Sequence, residues 1–227
     1  MNWIASFLKS SLGKKVIMSL TGLFLCLFLV IHLLGNLQLL KNDGGMAFNT
    51  YTYFMTHNPL IKVVSYITYA FILLHSIQGI LLYFENKKSR PTGYAKKNSP
   101  GNTFASRNMA LLGSFIFIFL GVHMGDFWLK MKRGVLDMVS YEGYDHIWNL
   151  YSRVDLAYKE WWIVLFYVLS MILLAYHLRH GFQSAFQSLG FSHPKYTPII
   201  KGIGNLFSVL IPIGFAIIPI IRYFFFN

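Results

Sequence analysis

The sequence predicts an all-α membrane protein with five transmembrane helices, four of which bring histidines into one bundle. Two observations carry this. The chain of 227 residues is 55% hydrophobic and only 12% charged, with a mean hydropathy of +0.49, which is more apolar than a soluble domain tolerates. Its apolar residues also collect into five runs, at about 16–40, 60–84, 108–129, 161–186 and 202–224, each near the ~20 residues that cross a bilayer as a helix. The whole chain, 1–227, therefore reads as a single transmembrane domain. Aromatic residues make up 18% of it, with Tyr and Trp toward the ends of the runs, where amphipathic rings settle at headgroup level.

The formal charge of +12 raises nucleic acid as a partner, but a nucleic-acid-binding domain does not carry apolar runs of about 20 residues, so none is expected. The one cysteine, Cys26, lies inside the first run; there is no internal disulfide and no cysteine cluster for zinc or iron–sulfur, and a small buried thiol is expected. Lys14 and Lys15 precede the stretch from Val16 to Leu40. That stretch is too long for a signal-peptide core and lacks a small-residue cleavage site, so it reads as a retained span.

Five spans put the two chain ends on opposite sides. One side collects Lys9, Lys14, Lys15, Lys87, Lys88, Arg90, Lys96, Lys97, Arg107, Lys195 and Lys201 against a single acid, Glu85. On the other, Lys41, Lys62, Lys130, Lys132, Arg133, Arg153, Lys159 and Arg222 are balanced by Asp43, Asp126, Asp137, Glu142, Asp145, Asp155 and Glu160. The basic excess marks the first side as cytoplasmic, which places the N-terminus inside and the C-terminus outside a cytoplasmic, or cell inner, membrane. Trp3, Ile4, Phe7, Leu8 and Leu12 recur at helical spacing and predict an amphipathic helix on the cytoplasmic surface or under a partner protein. Ser89 to Gly101, rich in Lys, Pro, Gly and Asn, predicts a solvated loop. The longest loop, Lys130 to Glu160, faces outward with a short helix of its own expected in it. Span five has no histidine, carries Pro212 and Pro219, and is expected to close the bundle and face lipid, where neighbouring helices re-satisfy the carbonyls that proline frees.

Ionisable side chains are costly in a bilayer, so a histidine inside each of four successive spans points to function. These are His32, His75, His123 and His177. At about 1.5 Å of rise per residue, His32 and His123 lie about 24 and 22 Å from the cytoplasmic starts of their spans, in the outer half. Spans two and four run the other way, and the same rise puts His75 and His177 in the inner half. Two layers result, each with two histidines on different helices, the arrangement that a bis-imidazole haem requires. The competing assignments are a proton relay and polar contacts between helices.

An internal repeat supports the layering. Gly22, Phe24, Phe28, Leu29 and His32 match Gly113, Phe115, Phe119, Leu120 and His123, while His75 and Gly79 match His177 and Gly181. The chain thus reads as two parallel two-helix units, each giving one histidine to each depth. Glycine four residues after a histidine gives a flat macrocycle room against the helix, and equally lets helices pack closely. His180 competes with His177 as a ligand, although it lies nearer the headgroups, where Arg179 snorkels as well. His57, His146 and His193 fall in expected loops, as solvated side chains.

The stretch LTGLFLCLFLVIHLLGN at Leu20 to Asn36 closely resembles the first haem-ligating helix of the type B succinate dehydrogenase and fumarate reductase cytochrome b subunits, the di-haem membrane anchors. Similar resemblance extends to LGSFIFIFLGVH at Leu112 to His123 and YHLRHGFQSAFQSLG at Tyr176 to Gly190, and with the five-span layout it covers nearly the whole chain. The resemblance implies two haem b groups: a distal one held by His32 and His123, and a proximal one held by His75 and His177, with the glycine four residues on favouring His177 over His180. It further implies two partners on the cytoplasmic face, a flavoprotein subunit with covalent FAD and an iron–sulfur subunit. Electrons from succinate would pass through the iron–sulfur centres and both haems to a quinone, menaquinone, near the outer half.

Dicarboxylate chemistry would sit on a partner subunit, and the anchor would serve the respiratory chain and the tricarboxylic acid cycle as an electron-transfer subunit. Quinone sites need only one or two polar contacts in an apolar cleft; near the distal layer Asn36, Gln38, Tyr51, His57 and Asp126 are the available groups, with Asn36, Gln38 and Asp126 preferred. Some relatives that reduce fumarate place a glutamate two residues before the fourth ligand. That position is Ala175 here, which leans toward succinate oxidation. Rival expectations are the cytochrome b anchor of a hydrogenase or formate dehydrogenase, and a haem-free small transporter.

Overall fold

The structure, a computed structural model, describes residues 3–89 and 103–226. The expected loop from Ser89 to Gly101, with Arg90, Lys96 and Lys97, lies outside the described residues except for Ser89 itself. Ten α-helices and one hairpin follow in chain order among the described residues: α1 (Trp3–Lys9), α2 (Ser11–Asn36), α3 (Met46–His57), α4 (Pro59–Lys88), α5 (Phe104–Arg107), α6 (Met109–His123), α7 (Lys130–Lys132), β1 (Met138–Tyr141), β2 (Tyr144–Trp148), α8 (Leu150–Tyr158), α9 (Trp161–Ser188) and α10 (Thr197–Phe225). A 3-10 turn at Leu37–Leu40 extends α2, and a π-helical stretch at Met124–Leu129 joins α6 to α7.

Five helical stretches are long and apolar enough to cross a membrane: Ser11–Leu40, Pro59–Lys88, Met109–Lys132, Trp161–Ser188 and Thr197–Phe225. The expected spans coincide with them. Each helix satisfies its backbone internally, the condition for entering hydrocarbon, and hydroxyls along them are satisfied in the same way. Ser19, Thr21 and Ser170 donate to the carbonyls of Lys15, Ile17 and Phe166 one turn back. The helices are longer than the bilayer core requires. Thirty residues rise about 45 Å against about 30 Å of hydrocarbon, so their ends stand in the headgroup layers. Those ends are capped: the Ser10 hydroxyl accepts from Gly13 N–H at the start of α2, and the Asn58 side chain accepts from Leu60 and Ile61 ahead of Pro59 in α4.

We call the face at which α2 begins the near face and the opposite one the far face. Helix α2 packs against α4 and α9, and α6 against α9 and, more sparingly, α4. The four make a ring, with α2 across from α6 and α4 across from α9. Helix α10 lies outside the ring, mainly along α9 and secondarily on α2. Two glycines set that approach: a Cβ at Gly204 would stand 2.7 Å from the Phe182 ring, and one at Gly214 would stand 2.8 Å from the Leu33 side chain. Helix α1 leaves Trp3, Ile4, Phe7 and Leu8 exposed, an apolar stripe at the near face as its spacing predicts.

The densest packing is at the far face. Leu39, Phe48, Phe127, Val154, Tyr158, Tyr167 and Ile218 form one buried cluster drawn from six elements. Three features there were not expected. The connection between the first two spans folds as α3, so His57 closes a helix and stacks on Tyr53 (ring centroids 4.0 Å) instead of lying in a loop. The long loop contains the expected short helix, α8, but also the β1–β2 hairpin; His146, expected in a loop, lies in β2 with φ 52°. A fully buried Asn49 joins them: its amide donates to the Tyr141 hydroxyl (2.9 Å) and the Asn149 side chain (3.0 Å), and its carbonyl accepts from Tyr151 N–H. Gly45, at φ 87°, starts α3 directly against the Tyr151 ring, a position that both the backbone angle and the close approach reserve for glycine.

The third feature is a buried cation. Span five is not apolar to its end: Arg222, 3% exposed, forms an ion pair with Asp155 of α8, donates to the Tyr151 hydroxyl at 2.7 Å, and reaches the Leu39 carbonyl at 3.4 Å. Its guanidinium also lies 4.7 Å from the Tyr151 ring centre and 4.5 Å from that of Phe226. One side chain thereby ties spans one and five to the far cap. Arg222→Met leaves Asp155 without its buried partner and should destabilise the protein by about 3 kcal/mol, the low end of the range for a broken buried pair because Asp155 retains 25% side-chain exposure. Chemical denaturation in detergent reads this, and Lys201→Met at the near face should stay within about 0.5 kcal/mol of wild type.

Candidate histidine sites at two levels

The ring geometry carries alternate helices toward the centre, and the four histidines meet there in two pairs. His32 of α2 faces His123 of α6, with ring centroids 5.7 Å apart and planes at 89°. His75 of α4 faces His177 of α9, with centroids 6.3 Å apart and planes at 67°. Both pairs join helices that lie across the ring from one another. His180, one turn beyond His177, is half-buried, and the ring opposite His75 is that of His177.

Contacts between helices give the spacing of the levels. A Cβ added at Gly22 of α2 would stand 3.1 Å from His75 Cε1, and one at Gly113 of α6 would stand 3.8 Å from His177 Cε1. Gly22 and Gly113 each lie ten residues before the histidine of their own helix, so the two levels are about 15 Å apart at the helical rise. The repeat read from the sequence has a spatial meaning: corresponding glycines make room for corresponding imidazoles. The matching phenylalanines behave likewise, Phe28 stacking on His32 (5.2 Å, 16°) and Phe119 on His123 (5.7 Å, 25°).

The hydrogen bonds around the rings bear on what they can bind. The Thr21 hydroxyl lies 2.8 Å from the Ile17 carbonyl, 3.1 Å from that of Met18 and 3.2 Å from His75 Nδ1. With its hydrogen on either carbonyl, its oxygen accepts from His75 Nδ1–H and Nε2 keeps its lone pair, the tautomer a metal ligand needs. The Tyr167 hydroxyl lies 3.3 Å from His123 Nδ1. Asn36 donates to the His32 carbonyl at 2.8 Å, and its amide nitrogen stands 3.4 Å from the ring's Nε2. His177 Nδ1 is buried without a hydrogen-bond partner, a cost that a polar atom in an apolar bundle carries only when something offsets it.

These pairs fit a bis-imidazole haem. With metal–nitrogen bonds of about 2.0–2.1 Å and each ring centre about 1 Å further out, two trans imidazoles stand about 6 Å apart, centre to centre. The observed 5.7 and 6.3 Å lie on either side of that value. Among the described residues no three His, Cys, Asp or Glu side chains gather as a metal site. A porphyrin supplies four of the six iron ligands itself and asks the protein only for two.

The three preferred quinone contacts sit differently. Asn36 ends α2 beside His32, and Gln38 is half-buried in the following 3-10 turn. Asp126 lies in the π-helical stretch directly after His123, where it pairs with Lys130 at 2.6 Å and with Arg153 of α8. Its carboxylate is therefore engaged in holding α8 to span three. Of the remaining groups, Tyr51 packs against Gly35 of α2, and His193 lies in the near-face turn beside Tyr196. Thr21 and Tyr167 were not anticipated as histidine partners. Tyr167 lies ten residues before His177, the same offset as Gly22 from His32, and this places its hydroxyl level with His123.

Comparison with protein-family models, curated proteins and solved structures finds no match to this chain. Gly22→Val should push the His75 ring aside and destabilise the protein by about 1–3 kcal/mol. Gly121→Val on α6, where an added Cβ meets nothing within 4 Å, should cost less than about 0.5 kcal/mol; thermal unfolding in detergent compares the two.

Proposed function

We propose that this chain is the cytochrome b membrane anchor of a succinate:quinone oxidoreductase of the succinate dehydrogenase or fumarate reductase kind. The observation that carries the reading is the pair of opposed imidazoles at each of two levels, 5.7 and 6.3 Å between ring centres, in a bundle whose first, third and fourth spans resemble that family in sequence. His32 and His123 hold one haem b, and His75 and His177 the other. When bound, each haem supplies a reversible one-electron couple, and two stacked couples let electrons cross the apolar layer.

The chain's own residues position and tune. Thr21, with its hydrogen on a carbonyl of its own helix, holds His75 through Nδ1, and the Tyr167 hydroxyl orients His123 from 3.3 Å at its Nδ1. Gly22 and Gly113 keep the space beside the near pair open, while Phe28 and Phe119 back the far pair and exclude water. Asp126, held by Lys130 and Arg153, braces the helix end below His123. To hold a proton and pass it to a quinone undergoing reduction, it must first release one of those cations. Asn36 and Gln38 are the polar groups best placed to meet a menaquinone carbonyl beside the far level.

The near face is cytoplasmic in this reading, by its excess of Lys and Arg. It receives the iron–sulfur subunit, which connects to the flavoprotein where FAD carries out the dicarboxylate chemistry. The exposed stripe of α1 lies on the cytoplasmic membrane surface or under that subunit. Ala175 leaves no carboxyl two residues before His177, which favours succinate oxidation with menaquinone as acceptor.

A reduced-minus-oxidised visible spectrum with a haem assay should give two b haems per chain. His75→Ala and His123→Ala should each retain one of the two; absence of haem from properly assembled protein overturns the reading. Tyr167→Phe should keep both haems and shift the midpoint potential of only one, which redox titration resolves.

A further inference from the structure

The far face carries a second feature that the paired histidines do not use. Between the start of α4 and the end of the third span lies a cavity of about 320 Å3, lined by Lys62, Lys132, Arg133, His57, Gly134 and Trp148 among others. Three cations line it, and no acidic side chain does. Among the described residues none of the three forms an ion pair, whereas Asp126 is engaged by Lys130 and Arg153, and Asp155 by Arg222 and Lys159. Three unneutralised cations around one concavity attract an anion that supplies several oxygens, which phosphate chemistry does.

The position says where that phosphate comes from. Lys62 stands three residues into the second span and Lys132 is the last residue of the third, so the cavity opens at the headgroup level. Trp148 adds an amphipathic ring suited to that depth. One turn beyond Lys62 on the same face of α4 Tyr66 is exposed, with Val63 and Ile67 exposed beside it, an apolar surface leading into the hydrocarbon layer. Cations above and an apolar track below match a ligand with a phosphate at one end and acyl chains at the other.

We propose that this cavity is a headgroup site for an anionic phospholipid of the far leaflet. The phosphodiester lies among Lys62, Lys132 and Arg133, and the acyl chains run along α4. The lipid bridges the second and third spans, which make little direct contact with each other, so its occupancy supports the open side of the ring.

The test uses the full chain in detergent, with its partners if they co-purify, and three probes: short-chain phosphatidylglycerol, short-chain phosphatidylcholine and inorganic phosphate. Phosphatidylglycerol should bind at least about tenfold more tightly than phosphatidylcholine, and the combined variant Lys62→Gln, Lys132→Gln, Arg133→Gln should lose about tenfold in that affinity. Lys195→Gln with Lys201→Gln at the near face should leave it within about twofold. Equal binding of the two lipids by the unaltered protein overturns the proposal, and this comparison stands even if the triple variant does not fold. Unchanged affinity in a folded triple variant also overturns it. Displacement of phosphatidylglycerol by an equal concentration of inorganic phosphate would show a free-anion site and overturn the lipid assignment.

Discussion

Placing an imidazole inside a bilayer-spanning helix is costly, and this chain does so four times. Lipid cannot hydrogen-bond a ring nitrogen, so each histidine must turn toward the bundle axis and find a polar or metal partner there. That requirement orders the fold. Helices whose histidines share a level stand across the ring from each other, small residues occupy the positions where a neighbouring imidazole needs space, and phenylalanines one turn away seal the far pair. The fifth span stays outside the ring because it has no histidine to contribute.

Much of this was legible along the chain because it is periodic. The span lengths, the four histidines, their two depths and the matched glycines and phenylalanines all follow from counting at 1.5 Å per residue, and the structure places the paired rings on alternate helices as that counting predicts. The parts that escaped have no period. Arg222 and Asp155 are 67 residues apart, and nothing local marks either as a partner; in sequence Arg222 looks like one more basic residue at the end of a span. Asn49 reads as an ordinary loop residue until α3, β1 and α8 converge on it. Tyr167 was visible as a hydroxyl in an apolar run, but its partner sits on another helix, and only a comparison of depths across helices could have joined them.

The two faces of the molecule are built differently. At the far face α3, the hairpin and α8 form a cap, and Asp126–Arg153 and Arg222–Asp155 fasten that cap to spans three and five. Among the described residues the near face carries the exposed apolar helix α1 and the basic last turn of α4, Lys87 and Lys88. A face fastened by its own loops holds its spans together, whereas an exposed apolar helix such as α1 is suited to contact with a membrane surface or a subunit. In the proposed orientation the near face would meet the catalytic subunits and the far face the opposite leaflet.

The central claim is that each level holds one iron between two histidines. Low-temperature electron paramagnetic resonance of the oxidised protein tests it most directly, because imidazole planes crossed at 89° and 67° would, if both rings of a pair bound one ferric haem, leave the d orbitals of its low-spin iron nearly degenerate in energy. The account predicts two strongly anisotropic low-spin signals of equal weight, one lost in His123→Ala and the other in His177→Ala. A high-spin ferric signal at either level, or both signals surviving both substitutions, would contradict it.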